Sequence, residues 1–518
     1  MAREQWGSKL GVVLAVAGSA VGLGNFLRFP GLLAQWGGTF MIPYFVSLLL
    51  IGLPLMWIEW TIGRFGGGFG HSTAPGMFHS MREKNRFIKY FGIIGILGPL
   101  MIFVYYTYIE SWLLGYSFLA LFGNYDHCTT PEQMGAFLNS YQGTSDAGPF
   151  EGYSTAYTLF ALTFIVNISV VWRGLTEGIE KLCKLAMPIL FLLAIVLVVR
   201  IFTLPAYEGR TVSQGVNYMW APDYTKLSDP QIWFDAASQI FFTLSVGIGI
   251  ILTYASYITK KDDVALSGLT AATTNEFTEV ILGGSIVVPA AFLFLGQAQV
   301  EHFVQGDGGI FKLGFVAMPL AIEHMPYHNI FGFIWFFLLF IAGITSSISM
   351  AQPAVAFLED EFDLSKSKAV SIFAVITFSL CNMVIFWNKH GSIDEFDFWA
   401  GKFFLLIFGL FEVILFAWIF GLDRSWSELH SGSHIRIPRF YRFVIKYVTP
   451  AMLIGILGYW FVTAGWRELL LQSVPESNSD SMPYRVYMRL TILALVTVFA
   501  FLISIAWRKN KQKEASKL

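Results

Sequence analysis

The chain has 518 residues, of which 55% are hydrophobic, 17% aromatic and 13% charged, with a mean hydropathy of +0.59. A soluble domain does not carry that balance, so the sequence is that of an integral membrane protein. The formal net charge of −1 offers no field that would draw nucleic acid, and none is expected as a partner. Cys128, Cys183 and Cys381 fall in an outer loop, an inner loop and a span, and no CxxC, HExxH, GxSxG or P-loop occurs. Neither a disulfide framework nor an enzyme is expected.

One crossing takes ~20 apolar residues. Apolar runs predict about twelve transmembrane helices beginning near residues 9, 39, 86, 152, 177, 228, 262, 327, 362, 396, 441 and 484. The first follows a short polar start with no small-residue cleavage site, and so reads as a span rather than a removable signal peptide. Lys and Arg crowd alternate connections: Arg64 to Lys89, Arg173 to Lys184, Lys260 and Lys261, Lys366 and Lys368, Arg424 to Arg442, and the tail after Trp507. That bias places both termini in the cytoplasm of a multi-pass cell-membrane protein, in the inner membrane if the source is bacterial.

The first span is interrupted. In GSAVGLGNFLRFP, residues 18–30, three glycines weaken the helix by roughly 1 kcal/mol each relative to alanine. Asn25 and Arg28 follow, and an ionisable side chain at membrane depth marks a site that needs a partner. The sixth span repeats the pattern in SQIFFTLSVGIG, where Thr243, Ser245, Gly247 and Gly249 interrupt the run. Unwound backbone survives inside a bilayer only where protein or a cavity covers it, and there it supplies carbonyls and amides as ligands. Two interrupted spans five apart predict an all-α architecture of two inverted five-helix repeats, with broken first and sixth helices and two extra helices appended. Residues 1–258 then hold spans one to five and the start of the second repeat, 259–421 its remainder, and 422–518 the appended spans and a basic cytoplasmic tail. The whole forms a single domain.

These two stretches, with TTNEFTEVILGGS, AGITSSISMAQP and DEFDFWAG, resemble the neurotransmitter:sodium symporter family, most closely its bacterial leucine transporter branch. The resemblance implies two sodium sites. The first would use Ala20, Asn25, Thr243 and Asn275 with the substrate's carboxylate. The second would use Gly18, Val21, Ala342, Thr345 and Ser346; a hard cation wants such oxygens. The substrate carboxylate would meet the amides of Leu23 and Gly24 and the Tyr106 hydroxyl. The amino group would meet carbonyls of Ala20, Phe242 and Thr243 and the Ser245 hydroxyl. Ile102, Tyr106, Phe242, Ser245, Ile248, Ser346 and Met350 would line the side-chain pocket. Gly22 stands where amine-carrying relatives place an aspartate, so a neutral hydrophobic amino acid with its own carboxylate is implied. Ser19, Ile248 and Met350 replace the asparagine, phenylalanine and isoleucine of the leucine transporter pattern, which leaves aliphatic, methionine-like and aromatic side chains open.

The resemblance also implies gates: Arg28 with Asp397 on the outside, closed by Tyr106 and Phe242, and Arg3 with Asp360 on the inside, near Trp6, Ser256 and Tyr257. Glu279 takes the place of a serine-like residue that accompanies bound chloride, so its carboxylate implies chloride-independent transport. Glu59 and Glu110 are expected to hydrogen-bond the unwound backbone of the sixth and first spans or to be held neutral by burial. A channel would line a continuous pore rather than two breaks. A sodium-modulated amino-acid receptor with the same pocket is the alternative to a symporter. A homodimer through the late spans is compatible with the pattern.

Overall fold

The computed structural model describes residues 4, 6–82, 85, 87–145, 149–150, 152–305, 313–474 and 476–515. Nine described helices are long and apolar enough to cross a membrane. Two of them, Gly24–Gly67 and Ser154–Phe202, run 44 and 49 residues, about twice what one crossing needs. They turn at Gly37 (φ +67°) and Gly174 (φ +82°); the second supplies two crossings, the first one crossing and part of another. One half of the first span lies in the former run.

The remaining crossings are assembled from pieces too short to span alone. The first joins Lys9–Ala20 to 24–36, and the sixth joins Pro230–Thr243 to Ile250–Ala255. The others are 37–67, Ile88–Leu121, Ser154–Gly174, 175–202, Val264–Leu295, His328–Phe362, Lys366–Phe386, Ser392–Ile419, Phe440–Leu469 and Met482–Ala515. That makes twelve, with starts close to those expected from the apolar runs.

The repeats are inverted, and particular contacts show it. The chain enters the first span beside the end of the sixth, where the Trp6 indole N–H donates to the Tyr254 carbonyl at 3.0 Å. At the opposite side Arg28, late in the first span, donates to Ser238, early in the sixth. The two spans therefore run antiparallel. The first half of span one packs on span seven, the first half of span six packs on span two, and spans three and eight share the most extensive helix contact. A twofold relation between spans one to five and six to ten requires those pairings.

Burial follows the same plan. The most apolar windows of spans three and seven are 83% buried, those of eleven and twelve only 22%, so the appended helices sit at the rim. Leu185, Val375, Val462 and Leu493 face outward, as lipid-facing residues should. Inside the bundle Glu59, Glu110, Glu279 and Glu412 are fully buried. Carboxyls at that depth are expensive and characteristically face a partner or a cavity.

Candidate functional site

The two breaks face each other across the middle of the bundle. At the first, the Gly22 amide donates to Asn25 Oδ1 at 2.8 Å and the Leu23 amide donates to the Tyr106 hydroxyl at 3.2 Å. At the second, Ser245, Gly247 and Gly249 all have positive φ; glycine alone adopts such backbone freely. The Gly247 amide donates to Glu59 Oε1 at 2.5 Å, and Ser245 Oγ donates across to the Ser19 carbonyl at 2.9 Å. An unpaired backbone group in hydrocarbon costs several kcal/mol, so side chains from spans two and three and the opposing break have taken over the missing helix bonds. Glu59 plays the part expected of it. Glu110 is buried but bonds elsewhere than the first span: its oxygens accept from Asn167 Nδ2 on span four at 3.1 and 3.2 Å. Asn167 Oδ1 in turn accepts from Ser347 Oγ at 2.6 Å, so Glu110 ties spans three, four and eight.

Between the breaks lies a small cavity of about 30 Å³. Every residue assigned above to the substrate lines it: Ser19, Ala20, Gly22, Leu23, Gly24, Ile102, Tyr106, Phe242, Thr243, Ser245, Ile248, Ser346 and Met350. Leu405, from span ten, lines it as well and was not anticipated. Nothing in its own neighbourhood, GKFFLLIFG, separates it from packing residues.

A larger cavity of about 550 Å³ adjoins the small one, and Leu23, Gly24, Tyr106 and Phe242 belong to both walls. Tyr106 and Phe242 are the side chains that separate the two. Arg28 and Asp397, the expected outer gate, both line the larger cavity, and each has other partners. The Arg28 guanidinium donates to Ser238 Oγ at 2.8 Å and to the Ser238 carbonyl at 3.2 Å, and it lies 5.1 Å from the Phe242 ring centre. Asp397 accepts from the Tyr105 hydroxyl at 2.7 Å and pairs with Lys402 at 3.6 Å. A cavity between the two charges keeps this side open.

The opposite side is shut, and Trp6, expected there, takes part through its bond to the Tyr254 carbonyl. Arg3 lies outside the described residues, and Asp360 sits half-buried at the end of span eight. Two glutamates make contacts there with the start of the chain. Glu4 pairs with Lys366 and accepts from the Leu175 amide at 3.0 Å. Glu180 accepts from the Gly7 amide at 2.8 Å, from Ser8 Oγ at 2.9 Å and pairs with Lys184 at 2.6 Å.

Beside the small cavity is a cluster of oxygens. Asn25 Nδ2 donates to Asn275 Oδ1 at 2.8 Å and to Glu279 at 3.1 Å. Asn275 Nδ2 donates to Thr243 Oγ1 at 2.9 Å, whose own proton goes to Glu279. Asn275 Oδ1 thereby stands 3.1 Å from the Ala20 carbonyl oxygen and 3.3 Å from that of Thr243. Turning this amide over would let it donate to both carbonyls, but would bring its nitrogen to 2.8 Å from the Asn25 nitrogen. Asn25 cannot turn to match, because its oxygen holds the Gly22 amide. Three oxygens with no hydrogen between them form a site that a cation suits. Asn25 joins this cluster through its nitrogen, while its oxygen holds the Gly22 amide.

A second group joins spans one and eight. Ser346 Oγ lies 3.4 Å from the Gly18 carbonyl oxygen, 3.1 Å from that of Ser19 and 3.2 Å from that of Ala342. Thr345 Oγ1 donates to the Ala342 carbonyl at 3.1 Å. Val21 is the first residue of the adjacent break. Gly18, Ala342, Thr345 and Ser346 are thus gathered as a second oxygen-rich group.

Comparison with known proteins agrees with this geometry. A model of the Sodium:neurotransmitter symporter family matches residues 3–160 and 150–505. An uncharacterized sodium-dependent transporter of Methanocaldococcus jannaschii is 30% identical over 520 residues, 99% of this chain and 98% of its own. The sodium- and chloride-dependent GABA transporter 2 of Homo sapiens is 25% identical over 488 residues, 87% of this chain and 78% of its own. Among solved structures, that of MhsT in complex with L-phenylalanine aligns with a TM-score of 0.73 at 27% identity, covering 88% of this chain and 99% of that one.

Proposed function

The chain belongs to the sodium:neurotransmitter symporter family, a family of transporters and not of enzymes, and on that premise we propose that it carries neutral hydrophobic amino acids into the cell, driven by two sodium ions and without chloride. The observation that carries this reading is the oxygen cluster of Ala20, Thr243 and Asn275 at the edge of the small cavity. The Leu23 and Gly24 amides lie at the start of a half-helix, where backbone N–H groups and the helix dipole favour an anion. A substrate carboxylate held there completes the first sodium shell. Ion and substrate then each raise the other's affinity, as reciprocal linkage requires. The second sodium is assigned to the Gly18, Val21, Ala342, Thr345 and Ser346 group, which ties the moving first span to the eighth.

Substrate class follows from what lines the cavity. No residue at Gly22 supplies a carboxylate for a bare amine, and Ile102, Ile248 and Met350 offer only apolar surface. The L-phenylalanine bound by MhsT supports a hydrophobic amino acid here. Glu279, fully buried and receiving Gln239 Nε2 at 2.6 Å, supplies the negative charge beside the first sodium. The closed side, with Glu4 and Glu180, is assigned to the cytoplasm, and the open cavity to the outside.

Sodium-gradient uptake of labelled neutral amino acids into proteoliposomes, with potassium replacing sodium as control, tests the proposal. Accumulation of hydrophobic amino acids with sodium alone is expected. Sodium-dependent binding with no accumulation would replace the symporter by a receptor, and a chloride requirement would overturn the role given to Glu279.

A further inference from the structure

Resting on the transport reading above, we infer that Leu405 of span ten decides how large a substrate side chain the protein accepts. Polar groups of the two breaks and the Tyr106 hydroxyl line part of the cavity, and the apolar side chains of Ile102, Ile248, Met350 and Leu405 line the rest. About 30 Å³ is room for roughly two waters, so a large apolar side chain must displace part of that wall. Ile102 and Ile248 are β-branched and stiff at χ1. Met350 is unbranched and adaptable, and Leu405 branches one carbon farther out. The wall therefore gives way on the Met350–Leu405 side, and the accepted class is amino acids whose apolar side chain reaches past Ile248 to span ten.

The backbone of span ten is placed so that this contact is felt elsewhere. A Cβ built on Gly247 would lie 2.7 Å from the Leu405 carbonyl oxygen, so residue 405 abuts the second break directly. Leu405 also follows the wider-wound segment Asp397–Phe404, and Asp397, Gly401 and Lys402 of that segment line the outer cavity. Such irregular turns inside helices recur at functional sites. Substrate side chain, second break and outer cavity thus meet at one residue, and the side chain at 405 acts as a size limit at the point where the helix is least regular.

Uptake competition among alanine, leucine, methionine, phenylalanine and tryptophan tests the inference in Leu405→Ala, Leu405→Phe and Leu405→Met, with Leu406→Ala as a buried neighbour that does not line the cavity. L405A should raise the tryptophan-to-leucine preference by ~10-fold and L405F should lower it by a similar factor, the range that a change of a few carbons in an apolar pocket produces. L405M should keep the unmutated order, and L406A should scale all five substrates together. If L405A and L405F also scale all five together, Leu405 is packing and the inference is wrong. If the unmutated protein accumulates none of the five with sodium, the transport reading itself falls and takes the inference with it.

Discussion

At Gly22 an added Cβ would lie 2.7 Å from Ser346 Oγ and 3.0 Å from the Tyr106 hydroxyl. Tyr106 is a proposed partner of the substrate carboxylate and Ser346 lies in the second oxygen-rich group, so Gly22→Ala crowds the substrate between them. Overpacking of this kind costs ~1–3 kcal/mol. Apparent substrate affinity in equilibrium binding should fall ~10-fold or more with the protein still folded, and an unchanged affinity would move the carboxylate elsewhere. Glu279 is the second residue whose role is sharp. Gln239, Asn25 and the Thr243 hydroxyl all donate to it, and Glu279→Ser leaves these donors facing a hole beside the first sodium. A small anion can fill that hole, so E279S should transport only when chloride is present. Equal uptake by E279S in gluconate and chloride buffers would show that no negative charge is needed there.

The broken helices show why some of the design was legible and some was not. Clustered glycines and isolated hydroxyls mark positions where a bilayer helix cannot continue, and that property is local: both breaks could be read from fewer than 20 residues each. Partner choice is not local. Arg28 finds Ser238 and Glu110 finds Asn167 because of how spans far apart in sequence lie against one another, and any of several polar groups would have satisfied either charge. Leu405 escaped notice for the same reason, being one apolar residue among many until span ten is placed. The break itself can be tested. Gly247 has φ +76° and its Cβ would meet the Leu405 carbonyl, whereas a Cβ at Gly98 in span three would meet nothing within 4 Å. Left-handed backbone without glycine costs ~1–3 kcal/mol, and a helical glycine gains up to ~1 kcal/mol on becoming alanine. Gly247→Ala should therefore lower both melting temperature and uptake while Gly98→Ala leaves uptake intact. Equal behaviour of the two variants would mean the second break is not held in this shape.

Across the whole molecule the two sides differ in closure. The outer cavity separates Arg28 from Asp397, while Trp6, Glu4 and Glu180 hold the start of the chain against spans five, six and nine. Alternating access in such a fold requires that this second set of contacts break while the first side closes. Glu180 is the strongest candidate for the latch, because it receives both the Gly7 amide and the Ser8 hydroxyl just before the first half-helix begins. Hydrogen bonds to a charged group are worth ~1.5–3 kcal/mol, so losing them should raise the population open toward the cytoplasm by ~10-fold or more. The chain carries its own reporter. Cys183 is fully buried, and its sulfur lies 3.4 Å from where a Cβ on Gly18 would stand, so the first half-helix covers it. With Cys128 and Cys381 replaced by serine, maleimide should label Cys183 slowly in sodium. In Glu180→Ala the rate should rise ~10-fold. A labelling rate in E180A equal to that of the parent would show that the first half-helix is held shut by something other than Glu180.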